Sequence, residues 1–131
     1  MAGLNNQLPA RNDLYQDIQY LRRDFTFADN GKVLRLGTLP ANAVIIKPMS
    51  GVNISTVFNA GTANVLDIGT SADDDLYGTD LALGTAGFVP LDEAVSFFVS
   101  SDTQMTATPS LTGTAATTGV GQIVIAYCTK N

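Results

Sequence analysis

The chain has 131 residues and a mass of 13.7 kDa; 45% of it is hydrophobic, only 15% charged, and the formal net charge is −5. This is one domain, long enough to bury a core, with charge well below the usual quarter of a soluble protein. Nucleic-acid binding needs clustered Lys and Arg, and the one close basic pair is Arg22-Arg23. No apolar run approaches the ~20 residues of a membrane-spanning helix.

Residues 1 to about 13, "MAGLNNQLPARND", carry Gly3, Asn5, Asn6 and Pro9 with only Leu4 and Leu8 as apolar anchors. Such a stretch does not fold alone. It reads either as a frayed terminus or as an extended arm that lies along a partner through Leu4, Leu8 and Pro9. It lacks the charged start and apolar core of a signal peptide, so synthesis in a cytoplasm is expected. Residues 14–131 form the remaining domain.

From Leu14 to Phe27 two periods compete. Leu14, Ile18, Leu21 and Phe25 fall at helical spacing, whereas Leu21, Arg23, Phe25 and Phe27 alternate as in a strand. The aromatics and Thr26 favour a strand for the second half. "DNGK" (29–32) then offers Asn-Gly, the dipeptide of a two-residue hairpin turn. A hairpin over residues 20–28 and 32–37 is expected.

Beyond it the pattern is all strand. "AVIIKPM" (43–49) and "GVNISTVF" (51–58) follow, the latter with Val52, Ile54, Thr56 and Phe58 on one face. "VLDIG" (65–69) is the next strand, and Phe88, Val95, Phe97 and Val99 mark two more short apolar stretches. The Thr-rich segment "QMTATPSLTGTAATTG" is expected to hold one edge strand broken at Pro109. "GQIVIAYCTK" closes the chain with Ile123, Ile125 and Tyr127 alternating against Val124, Ala126 and Cys128. Many short, well-punctuated strands with no long helix indicate an all-β fold, a jelly-roll-like β-sandwich preceded by the N-terminal arm.

Chemistry is constrained by the lack of histidine. Every Ser-His or Cys-His nucleophile and the commonest general base are thereby removed. Cys128, the single cysteine, has no imidazole to activate it and no partner for an internal disulfide. Asp67, Asp80, Asp92 and Glu93 are the candidates for a glycosidase-type carboxylate pair, but the chain has no tryptophan for an aromatic cleft. No residue set fills the roles of an enzyme. "TGVGQ" (118–122) lacks a third glycine and precedes a strand, so it is not a dinucleotide loop.

The acidic loop "DIGTSADDDLYGTD" (67–80) has two readings. Calcium needs only oxygen ligands, and Asp67, Asp73, Asp75 and Asp80 would supply an irregular site. The EF-hand pattern started at Asp73 fails, because Tyr77 takes a ligand place and Gly84 falls where the closing Glu belongs. The second reading, a solvated turn with no metal or other cofactor, is preferred.

The run "GTLPANAVIIKPMSGVNISTVFNAGTANVLDIGTSADDDLYG" (37–78), with the ending "GVGQIVIAY" (119–127), resembles small structural proteins of tailed bacteriophages. The resemblance spans residues 20–131 and rests on strands and turns rather than on catalytic residues. It implies a capsid decoration, or cement, protein: a virion component on the capsid surface that binds the major capsid protein and associates with itself as a homotrimer. The alternative is a head-fibre or tail component that binds a host glycan or protein, with Tyr77 as its aromatic platform.

Overall fold

The structure is a computed structural model, and it describes residues 17–129. Ten strands order this span: β1 (Gln19–Thr26), β2 (Leu34–Leu39), β3 (Ala43–Ile45), β4 (Gly51–Thr56), β5 (Ala63–Thr70), β6 (Gly78–Ala82), β7 (Gly87–Pro90), β8 (Phe98–Val99), β9 (Thr103–Thr112) and β10 (Val120–Thr129). Two 3-10 turns, Phe27–Asp29 and Lys47–Met49, are the only helical segments among the described residues. Among the described residues no helix is long and apolar enough to cross a membrane.

The strands form two antiparallel sheets, and the chain passes repeatedly from one to the other. In the first sheet β10 is central. β1 pairs along one flank of it, from Gln19 opposite Tyr127 to Thr26 opposite Val120. The other flank is shared by β4 and β3, which β7 and β8 extend outward. The second sheet has the order β2-β9-β5-β6. The two inner faces meet in one core, with Leu39, Leu66, Ile68, Met105, Ile123 and Ile125 fully enclosed. Each such side chain contributes about 1.5–3 kcal/mol by leaving water, so the period-2 pattern of these strands sets the sandwich.

The expected all-β sandwich is therefore present, but three local expectations are corrected. First, residues 20–28 and 32–37 are not a hairpin. β1 pairs with β10 and β2 with β9, so "DNGK" carries the chain between sheets. Asn30 has φ −52° and ψ 128°, and Gly31 has φ +77°. These are the angles of a type II turn rather than the type I′ turn that closes a two-residue hairpin. The turn is tied down elsewhere: the Asn30 amide donates to the Leu111 carbonyl at 3.0 Å and accepts from the Leu111 N–H at 2.8 Å. Upstream, Thr26 and Asp29 cap the short 3-10 turn reciprocally, which ends β1 before Phe27 can continue it.

Second, the strand expected over 43–49 stops at Ile45, and Pro48 sits in the 3-10 turn that follows. The gap this leaves beside β10 is filled by buried Ser50. Its hydroxyl accepts from the Ala126 N–H at 2.9 Å and donates to the Ile46 carbonyl at 2.8 Å.

Third, the Thr-rich segment is a ten-residue central strand, β9, not an edge strand. Pro109 is tolerated there because its carbonyl accepts from Gly31 N–H at 2.9 Å. In an antiparallel strand a residue's two polar groups face the same flank. The N–H that proline lacks would therefore point to the turn beyond β2, where no ladder bond is lost. For the ambiguous segment 14–27, strand begins at Gln19, and residues 14–16 lie outside the described residues.

Candidate assembly surface

The four aspartates expected at a calcium site divide into two groups. Asp67 and Asp80 belong to a bulge. Leu66 opposes Leu81 and Ile68 opposes Gly78, so Asp67 faces two residues of β6. Asp80 there has φ +53°, and its N–H is held by the Asp67 carboxylate at 2.8 Å. On the other side Asp92 accepts from the Thr79 N–H at 3.0 Å. Two of the four carboxylates suggested for hydrolysis, Asp67 and Asp92, thus hold backbone of one strand.

Asp73 and Asp75 group instead with Asp74, their carboxylate oxygens within 4.8 Å of one another. The loop is held by Thr70, whose backbone N–H donates to the Asp73 carbonyl and whose hydroxyl accepts from the N–H groups of Ala72 and Asp73. A hydrogen bond with the Asp73 carboxyl raises the Asp75 pKa from its ordinary value; desolvation and repulsion by Asp73, Asp74 and Asp67 add to this. The loop closes over Gly69, where a Cβ would stand 2.2 Å from the Asp73 carbonyl oxygen. Only glycine admits that approach.

Tyr77, the expected aromatic platform, is only 3% exposed. Its ring stacks on Phe97 at 5.3 Å, Lys47 lies over the other aromatic at 5.6 Å, and burial pushes the phenol above its ordinary pKa. A sugar platform must be exposed, so Tyr77 is a core residue. Cys128 is half-buried on β10. Leu4, Leu8 and Pro9 lie outside the described residues.

What distinguishes the molecule is the contrast between its two outer faces. On the β2-β9-β5-β6 sheet, alternation turns Thr106, Thr108, Ser110 and Thr112 of β9 outward, beside Gly69, Asp67 and Val65 of β5. The hydroxyls of Thr106 and Thr108 are buried and have no hydrogen-bond partner. Thr106, opposite Gly69 where the acidic loop closes, is only 3% exposed, whereas Ser110 and Thr112 stand in water, so the open part of that face is polar.

The outer face of the six-stranded sheet is not. Register sets Tyr20 beside Ala126, Val44 beside Cys128, Phe98 beside Val44 and Phe88 beside Asn53. Ile18 immediately precedes this face and Val120 closes it at the far end. Ile18, Tyr20, Val44, Phe88, Phe98 and Val120 are each 40–49% exposed. The outward strand positions carry just two charges among the described residues, Arg22 and Asp24, two places apart on β1. The sequence held a signal for this. In "IVIAYC" both parities are apolar, which is the pattern of a strand covered on both faces; the alternation of Ile123, Ile125 and Tyr127 explains only one of them.

No protein-family model matches the chain, and neither does any curated protein sequence. Solved structures do. A chain of the cyanophage Pam1 capsid asymmetric unit matches with a TM-score of 0.63 and 16% identity, over 97% of this chain and 96% of that one. The fold is one found in phage capsids. A chain in the acidic stable capsid of Helicobacter pylori bacteriophage KHP30 matches at 0.64 and 15% identity, covering 88% and 90%. A chain in the capsid of Ralstonia phage GP4 matches at 0.60 and 20% identity, covering 98% and 94%. The resemblance to phage structural proteins read from the turns and strands is thus met at the level of fold.

Proposed function

We propose that this chain is a structural, non-enzymatic component of a phage virion, and specifically a decoration protein that binds the outside of the head shell and associates with itself there. The observation that carries this reading is the end-to-end character of the matches. Each covers at least 88% of this chain and 90% of its counterpart, so the counterparts are themselves chains of about this size in phage capsids, not domains cut from larger ones. A small sandwich of this kind suits a chain added to a shell, whose partner is the major capsid protein. The apolar outer face supports self-association, because a large exposed apolar patch marks an interaction surface. The head-fibre or tail reading loses its best candidate residue with the burial of Tyr77.

The test is to mix purified protein with shells that lack it and sediment the mixture. Saturable binding of hundreds of copies per shell is expected. Binding of only tens of copies, or none, would overturn the decoration role.

A further inference from the structure

We infer that the outer face of the six-stranded sheet is the surface on which a second copy of this chain packs, face to face across a two-fold axis. Three observations on that face select this occupant.

The first is area. A fully exposed aromatic offers about 150–250 Å², so the six half-exposed side chains from Ile18 to Val120 leave on the order of 500 Å² of apolar surface in water. A specific interface takes about 800 Å² from each partner. The patch supplies most of that, and polar positions lie among its members, Asn53 and Gln122 included.

The second is the polarity, among the described residues, of the opposite outer face. There the outward positions of β9 are threonine and serine, and Val33, just before β2, is an exposed hydrophobic beside them. A head-to-tail contact would press the apolar patch against hydroxyls. Packing the patch on its own copy matches apolar to apolar, and a self-complementary contact is a two-fold contact.

The third is charge. Arg22 and Asp24 are exposed, opposite in sign and side by side on one strand, with Arg22 lying over the Tyr20 ring and Asp24 accepting from the Gln122 amide. A two-fold axis that runs two β1 strands antiparallel across the interface sets Arg22 of each copy toward Asp24 of the other. The face is thus complementary to itself in charge as well as in polarity.

This inference rests on the self-association part of the proposed function, puts a two-fold pair in place of the homotrimer that the resemblance implies, and is independent of shell attachment. A protein that pairs but does not bind shells fails only as a decoration protein.

The test is the mass of the full chain by light scattering or sedimentation at tens of micromolar. Twice 13.7 kDa is expected; a monomer or a trimer would overturn the inference. Phe98→Glu with Val44→Glu should weaken pairing at least a hundredfold, whereas Ser110→Glu on the opposite face should leave it unchanged, and the reverse result would refute the choice of face. Because a core-adjacent variant can lose its fold, a charge exchange gives a second readout. Arg22→Asp and Asp24→Arg should each weaken pairing about tenfold, and the double exchange should recover it. Single exchanges without effect, or a double exchange no better than either, would refute the two-fold register.

Discussion

The acidic stretch shows how much one residue's environment decides. Asp67, Asp73, Asp75 and Asp80 read in the sequence as a single cluster, yet Asp67 and Asp80 serve the backbone of a bulge while Asp73 and Asp75 share a loop with Asp74. Spacing alone could not separate them, because the division depends on the bulge that sets Asp67 opposite two residues of β6. The raised Asp75 pKa has a consequence of definite sign. In the unfolded chain its carboxyl titrates near 3.8; in the folded loop it holds its proton to higher pH. Ionising it therefore costs the folded state, a cost absent below the unfolded value and fully present above the folded one. Asp75→Asn should remove this cost. Thermal melts of the two proteins should coincide at low pH, and from about pH 4 upward the variant should melt slightly higher, by less as salt is added. A variant that melts lower near neutral pH would show that the Asp75 carboxylate is a needed ligand or acceptor.

At the level of elements, strand faces were more legible than strand partners. Val52, Ile54, Ile123 and Ile125 are buried as their alternation requires, since burial depends only on a period of two. The face expected to continue through Thr56 to Phe58 does not, because a bulge opposite Val120 leaves Thr56 exposed and β4 ends there, with Phe58 buried beyond it. Pairing depends on turn geometry, and Asn30-Gly31 adopts the type II form because the Asn30 amide is engaged by Leu111, 81 residues away. No local pattern announces that contact. Pro109 misled in the same way: a proline argues for an edge until the flank it faces is known. The Asn30 amide stands in for a strand residue, satisfying both backbone groups of Leu111 at the end of β9. Asn30→Ala should cost about 1–3 kcal/mol, the usual range for orphaning partly buried polar groups, read as a fall in the denaturation midpoint. Asn30→Asp keeps the acceptor and loses the donor, so it should fall between the two. Equal stability of all three proteins would mean that the turn holds without this bridge.

At the level of the whole molecule, the paired assembly makes a statement about the N-terminal residues. The described chain starts at Asp17, and Ile18 leads directly into β1 at the rim of the proposed pairing face. A two-fold pair therefore delivers two N-terminal segments, related by the axis, from one body. Thirteen residues reach at most about 45 Å when extended. If these segments are the shell contact proposed for them, two on one body are expected to bind with avidity: once the first is engaged, the second meets its site at an effective concentration far above that of free protein. Loss of both arms should thus cost more than the affinity of one. Deleting residues 1–13 is expected to leave a folded pair of unchanged far-UV circular dichroism while weakening co-sedimentation with shells at least a hundredfold. Leu4 and Leu8 are the apolar side chains able to anchor each arm, so Leu4→Ala with Leu8→Ala should reproduce most of that loss. It should do so about equally at low and high salt, because burial of apolar surface is not screened as exposed charge pairs are. A truncated protein that binds shells as tightly as the full chain would take the contact away from the arm and assign it to the body, where the threonine face of the β2-β9-β5-β6 sheet is the surface the pair leaves open.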